Sequence, residues 1–70
     1  MYEQLKALIA GRERGLPMAG ENEDGETVIV SVCGYEDGAP IYKTETAQHN
    51  GWMRINYYYP DGMVEELYDK

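Results

Sequence analysis

Apolar residues near the N-terminus recur at helical spacing. Positions i, i+3, i+6 and i+7 are occupied by Tyr2, Leu5, Leu8 and Ile9. This spacing indicates an amphipathic helix over about residues 2–13 with one narrow apolar stripe. Gly15 is a suitable C-terminal cap, and Pro17 stops any continuation. The pattern therefore predicts a helix, followed by a loop over residues 14–26.

From Thr27 onward the pattern changes to β-branched and alternating runs separated by short turns. Asp-Gly or Asn-Gly occurs at three of these turns. Those dipeptides favour hairpins because both residue types accept the positive φ of a tight turn. The runs between the turns cover residues 27–33, 41–46, 52–59 and 63–68. The sequence therefore predicts a β-meander of four antiparallel strands over residues 27–68.

Together these elements predict a single domain over residues 1–70. Its class is α+β, with an N-terminal α-helix packed on one face of a four-stranded antiparallel β-meander. A chain of this length buries only ~60% of the surface that its unfolded form exposes, so we expect a thin margin of stability. Domains of this size often rely on oligomerisation.

Turn lengths set the register of the meander and decide which side chains share a face. A type I turn closed by a glycine bulge at residues 60–62 pairs Tyr57 with Glu65. A two-residue turn at residues 50–51 pairs Thr44 with the same tyrosine. The predicted face under the helix then carries Val28, Val30, Val32, Tyr42, Met53, Ile55, Tyr57, Tyr59, Met63 and Leu67.

The other predicted face is too aromatic for a plain solvent face. One short helix cannot cover both sides of four strands, so this face is left open for a partner. Trp, Tyr and Arg are enriched at binding hot spots, although aromatic pairs across strands also stabilise a sheet without any partner. The candidate partner-binding residues, all on the last hairpin, are Trp52, Arg54, Tyr58, Glu66 and Tyr68.

The charge is acidic and unevenly distributed. The chain has 13 Asp and Glu against 6 Lys and Arg, for a net charge of −7. Residues 1–20 are slightly basic, so the acids are concentrated in residues 21–70. Such a surface repels phosphate backbones, and we expect no direct contact with nucleic acid. It keeps a small domain soluble, or it imitates phosphates in the channel of a nucleic-acid-binding protein.

No residue pattern indicates catalysis, a cofactor or a metal. His49 is the only histidine, and neither a nucleophile nor a set of metal ligands accompanies it at a useful spacing. Glu65 and Glu66 are adjacent, so they point to opposite faces of a strand and cannot act on one substrate. We therefore expect a protein that is not an enzyme and that needs no cofactor.

The chain shows no targeting or membrane signal. The N-terminal residues lack a cationic start followed by an unbroken apolar run, and no apolar stretch approaches the ~20 residues that span a bilayer. Cys33 is the only cysteine, so no disulfide forms within the chain. In a strand-like run it is most simply a small buried apolar residue of a reducing compartment. We expect a cytoplasmic protein without a membrane partner.

Several short motifs lie in the last third of the chain. They are Asn50-Gly51-Trp52, Arg54-Ile55-Asn56, Asp61-Gly62 and Glu65-Glu66-x-Tyr68. In these motifs the segment resembles short uncharacterised proteins of gut Gram-positive bacteria and their mobile elements. The resemblance implies a phage or plasmid accessory protein, a class in which small acidic proteins that block host defence factors are common. It brings no catalytic residue.

Three functions fit this pattern. The favoured one is a non-catalytic protein-binding module that uses the aromatic face to bind a protein partner or a second copy as a homodimer. An alternative is an acidic, nucleic-acid-mimicking inhibitor of a nucleic-acid-binding protein. A further alternative is an SH3-like barrel that captures proline-rich peptides, because Gly51-Trp52 is similar to a motif of those domains. The predicted helix at the start of the chain argues against that alternative.

Overall fold

The computed structural model describes residues 17–69 and the single earlier position Lys6. Residues 17–69 form one antiparallel sheet of five strands, paired in sequence order, and contain no helix. The expected antiparallel sheet is confirmed. The strands are β1 (Met18–Glu21), β2 (Thr27–Glu36), β3 (Ala39–Ala47), β4 (Met53–Tyr58) and β5 (Val64–Asp69).

The predicted α+β class with a four-stranded meander is wrong, because the described part of the chain is all-β and has five strands. The additional strand, β1, lies within residues 14–26, which the sequence pattern assigned to a loop. Its alanine, glycine and glutamate have low strand propensity. It forms because the turn at residues 22–26 folds it back along β2. The helix predicted over residues 2–13 lies outside the described residues, apart from Lys6.

Three of the four turns share one hydrogen-bonding pattern, at residues 22–26, 48–52 and 59–63. In the last of them, the Tyr59 N–H donates to the Met63 carbonyl, and the Gly62 N–H donates to the Tyr59 carbonyl, both at 3.0 Å. Each turn has a glycine with positive φ at its fourth position. This is the three-residue loop that ends in a glycine bulge.

The predicted register is confirmed for the last hairpin and is wrong for the hairpin before it. Tyr57 pairs with Glu65, as expected. Thr44, however, pairs with Asn56 instead of Tyr57, because the β3–β4 turn has three residues rather than two. A two-residue type I′ turn needs positive φ at both central positions. The only such non-glycine residue in the described chain is Asp37, in the β2–β3 turn.

This one-residue difference turns the β4–β5 hairpin over. Residues paired across antiparallel strands share a face, so Tyr58 lies on the same face as Tyr42 and Val30. The core face, as we call it, consists of Met18, Gly20, Val28, Val30, Val32, Tyr42, Thr44, Thr46, Arg54, Asn56, Tyr58, Val64, Glu66 and Tyr68. The opposite face includes Ile29, Lys43, Glu45, Met53, Ile55, Tyr57, Glu65 and Leu67.

A small core lies on the core face. Val30, Tyr42 and Tyr58 are buried, and Met18, Val28 and Val32 pack against them. Tyr58 is only 7% exposed. The middle tyrosine of the run at residues 57–59 is therefore the one that supports the core. The expectation that Tyr57 fills the core face is wrong, because that residue lies on the opposite face.

Strand β2 contains a bulge at Cys33. Val32 pairs with Tyr42 and Gly34 pairs with Ile41, so Cys33 has no residue opposite it. Its side chain is exposed, with Sγ 3.5 Å from the Ile41 carbonyl oxygen. The expectation of a buried cysteine is wrong, because the extra residue breaks the alternation of faces at this point.

Candidate partner-binding site

The structure separates the candidate residues predicted from the sequence. Arg54, Tyr58, Glu66 and Tyr68 lie together on the core face, where Arg54 is paired with Tyr68. Trp52 is 39% exposed and precedes β4. It lines a shallow cavity of about 410 Å³ with opposite-face residues. Trp52 therefore lies at the end of the sheet, outside the strands that carry the other candidates.

Within the first group, exposure decides which side chains can reach a partner. Tyr58 is buried in the core, and its hydroxyl accepts a hydrogen bond of 3.0 Å from the Asn56 amide. Tyr68 is 56% exposed, and Glu66 is exposed beside it. Contact with a partner is therefore open to the two β5 residues, whereas Tyr58 holds the strand beneath them.

Strand β5 is exposed along its whole length. Its apolar side chains, Val64 and Leu67, are 54% and 51% exposed, and Met63 just before it is 63% exposed. It is the last strand in the sheet order, so among residues 17–69 nothing pairs with its outer edge. Exposed apolar edge strands are the places where sheets acquire partners.

Tyrosine hydroxyls orient the two β5 glutamates. The Tyr68 hydroxyl donates to Glu66 Oε1 at 2.5 Å, and the Tyr59 hydroxyl donates to Glu65 Oε1 at 2.8 Å. The hydrogen bond to Glu66 raises the pKa of Tyr68, and burial and the glutamate charge add to that effect. Glu65 raises the pKa of Tyr59 in the same way. Both carboxylates are therefore held in defined positions along β5.

We expect Glu66→Gln to lower the pKa of Tyr68 toward the ordinary tyrosine value. A phenol that donates to a carboxylate resists ionisation, since the phenolate would face a negative charge. The contribution of this bond to stability is present at neutral pH and is lost as the pH rises through the raised pKa. Alkaline titration of labelled tyrosine rings by carbon NMR measures the change.

The matched control is Glu65→Gln, which should move the titration of Tyr59 and leave that of Tyr68 in place. A Tyr68 titration that follows Glu65→Gln instead of Glu66→Gln would contradict the assigned pairing.

A third carboxylate joins two turns at one end of the sheet. Glu26 is 9% exposed, and its Oε1 accepts a hydrogen bond of 2.9 Å from the Asn22 amide. This bond lowers the pKa of Glu26, and the His49 main chain and the charges of His49 and Arg54 lower it further. His49 Nε2 also lies 3.2 Å from the Asp24 carbonyl oxygen. These contacts connect the β1–β2 turn to the β3–β4 turn, which is a structural role.

A groove of about 450 Å³ crosses the core face between β1 and β4. Two buried polar atoms on side chains that line it, Arg54 Nε and Asn56 Oδ1, have no hydrogen-bond partner among the residues that the structure describes. Both atoms are covered by protein, so a ligand in the groove reaches them only if those side chains move. The groove is therefore a weaker candidate than β5. Its floor also includes Val28, Val30, Thr44, Thr46 and Tyr58.

Sequence reasoning missed three residues of this surface, namely Met63, Glu65 and Leu67. The signal was present in the predicted order of strands. The last strand of a meander has a neighbour on one side only, so its other edge is open whatever the register. The sequence analysis looked for aromatic residues on one face of the sheet. It therefore overlooked the edge strand, which exposes side chains of both faces.

Neither metal-ligand clusters, nor membrane-spanning helices, nor comparisons with known proteins indicate a further site in the described residues. In the part of the chain that the structure describes, no cluster of three or more His, Cys, Asp or Glu side chains is placed to hold a metal ion. The same residues include no helix of the length and apolarity that crossing a membrane requires. Comparisons with protein-family models, curated proteins and solved structures found no match.

Proposed function

We propose that this protein is a non-catalytic protein-binding module whose contact surface is the β5 side of the last hairpin. One observation carries the proposal: an edge strand of six residues is exposed throughout and presents large apolar side chains. In a domain with only three buried apolar residues in its described part, this exposed apolar surface is large relative to the core. Coverage by a partner would stabilise the sheet as well as form the complex.

The predicted site residues take different parts in this surface. Glu66 and Tyr68 touch the partner directly. Arg54 lies beside Tyr68 on the neighbouring strand and borders the contact. Tyr58 supports the surface from the core. Trp52 lies at the end of the sheet, just before β4, and extends the contact only if the partner wraps around that end.

The partner that we propose is another protein, bound in the cytoplasm, without contact to nucleic acid or a membrane. The exposed Cys33 fits a reducing compartment. The charge of −7 opposes approach to phosphates and to anionic lipid, and it also opposes a second copy of the chain. A protein partner with basic groups is favoured on the same ground.

The two alternatives receive less support. Phosphate mimicry needs carboxylates along one path, but the acids of this sheet are divided. Glu23 and Asp24 lie in the β1–β2 turn, Asp37 lies in the turn at the other end, and β5 carries a third group. For an SH3-like barrel, the described strands pair only in sequence order, without the closure that a barrel requires.

The test uses Tyr68→Ala with Tyr35→Ala as its matched control. Both tyrosines are exposed, at 56% and 71%, but Tyr35 lies on the β2–β3 hairpin, away from β5. With the purified partner obtained by capture from the source organism, we expect Tyr68→Ala to weaken binding by about tenfold or more, as hot-spot tyrosines do. Titration calorimetry should show no change for Tyr35→Ala.

Light scattering of the isolated protein completes this test. We expect a monomer at micromolar concentration and neutral pH. A dimer that Tyr68→Ala dissociates would make a second copy the partner. Equal binding by the wild type and both variants would refute the proposed surface.

A further inference from the structure

The hydrogen bonds of the last turn determine which main-chain groups of β5 are open. The Tyr59 N–H donates to the Met63 carbonyl, so these two residues form a hydrogen-bonded pair. Hydrogen-bonded pairs alternate with non-hydrogen-bonded pairs in an antiparallel ladder. The main chains of Glu65 and Leu67 therefore point toward β4. The residues whose N–H and C=O groups point away from β4 are Val64, Glu66 and Tyr68.

Of the sequence features that protect an edge strand, this edge has charged side chains only. Residues 64–69 contain no proline and no lysine, and the β4–β5 register runs without a bulge. All six residues are exposed. In β1, by contrast, only four residues form the strand, and the alternation leaves two outward-pointing residues in it. The β5 edge is thus the longer template for an added strand.

Charge decides what kind of strand fits. The two symmetric antiparallel registers with the longest overlap between two copies of β5 place Glu66 opposite Glu66, or Glu65 opposite Asp69. Like charges directly opposite each other destabilise a strand pair. Three carboxylates and no cation lie in this strand. A strand that places Lys or Arg opposite these positions gains attraction where a second copy meets repulsion.

We infer that β5 binds an extended basic segment of its protein partner by strand addition. The segment continues the sheet as a sixth antiparallel strand. Its main chain pairs with the outward groups of β5, and its lysines or arginines lie opposite the β5 carboxylates. Apolar residues of the segment lie opposite Leu67 on the opposite face and Val64 on the core face. This inference rests on the proposed function and specifies how the contact is made and with what chemistry.

The test uses a short synthetic peptide, with acetyl and amide ends, that reads lysine, valine, valine, arginine, lysine, valine. In antiparallel register this order places cations opposite the three carboxylates and valines opposite the apolar residues. We expect the amide resonances of β5 to shift on titration, and the affinity to fall as salt is added. The same peptide with glutamate in place of lysine and arginine should not bind.

Two changes separate main-chain pairing from side-chain attraction. Glu66→Pro removes an outward N–H, and Glu66→Gln removes the same charge while it keeps that N–H. We expect Glu66→Pro to bind the peptide about tenfold more weakly than Glu66→Gln, which is the upper range for one lost hydrogen bond. Methylation of the peptide nitrogens that face β5 should give a similar loss without any change in the protein.

The outcomes are distinct from those of the proposed function. If methylated and unmethylated peptides bind equally, or if no basic peptide binds, strand addition is refuted, whereas the effect of Tyr68→Ala on the natural partner still stands on its own. Shifts confined to the groove residues of β1 would also refute it. Binding of the glutamate peptide in preference to the basic one would refute the charge argument.

Discussion

Tyr58→Ala is expected to lower the free energy of unfolding by about 3–5 kcal/mol, the range for removal of a buried aromatic ring. The ring is 7% exposed and contacts a core of only two other buried apolar residues in the described chain. A chain of 70 residues has a total stability of roughly 4–10 kcal/mol. The variant should therefore be close to unfolded. Urea denaturation followed by circular dichroism measures the loss.

Two matched variants locate the cause. Tyr68→Ala removes the same ring from a position that is 56% exposed, and we expect it to change stability by no more than about 0.5 kcal/mol. Tyr58→Phe keeps the ring and removes only the hydroxyl that accepts from Asn56, which should cost about 1 kcal/mol. Equal losses for Tyr58→Ala and Tyr68→Ala would show that β4 is turned the other way.

Leu67→Pro is expected to cost about 2 kcal/mol, because it removes a hydrogen bond to β4 and places the proline ring against that strand. The Leu67 side chain is 51% exposed, so the loss of its packing contributes little. The effect therefore reports on the main chain. Thermal unfolding, together with hydrogen exchange of the β4 amides, measures it.

Glu66→Pro is the control for this change, one position away on the same strand. Its N–H points outward, and proline is tolerated at such positions of edge strands. We expect a loss of stability of no more than about 0.5 kcal/mol. The reverse order of the two variants would mean that β5 pairs with β4 in a register shifted by one residue.

The success of register prediction depended on one proline. Pro60 favours the first central position of a type I turn, and Gly62 two residues later completes the bulge, so the partners in the last hairpin followed from the sequence. The turn at residues 49–51 has no proline. Asn-Gly there matched the two-residue hairpin signal, but Asn50 instead accepts a hydrogen bond from the Trp52 N–H at 2.9 Å, within a three-residue loop. For an Asn-Gly pair without a proline, the local sequence does not distinguish a two-residue turn from a three-residue loop.

The additional strand and the bulge were beyond the sequence pattern for a different reason. Residues 18–21 contain no β-branched side chain, and their strand exists through pairing with Val28 and Val30. Cys33 continues the largely apolar run of β2, although the sheet skips it. Both features depend on contacts with neighbouring strands, and the alternation of polar and apolar residues along one strand does not predict such contacts.

The candidate site shows the same division. Glu66 and Tyr68 were identified, and the structure places them on an exposed strand. Tyr58 was grouped with them because the predicted β4–β5 register places all three residues on one face. The structure confirms that register, so the three residues do share a face. The burial of Tyr58 depends on how the β4–β5 hairpin meets β3, which the wrong turn length concealed. Trp52 is separated from the group because it precedes β4, at the end of the sheet.

The length of each turn in this sheet determines the face on which the side chains of all later strands lie. Each three-residue turn sets which side chains of the next strand face inward, and every later strand inherits that setting. Deletion of one residue from a loop would move the core-face side chains of every later strand to the opposite face, and the opposite-face side chains to the core face. Deletion or insertion of two residues would leave every side chain on its original face. The loops that share one geometry should therefore be exchangeable with each other, whereas their lengths should tolerate change only in even steps.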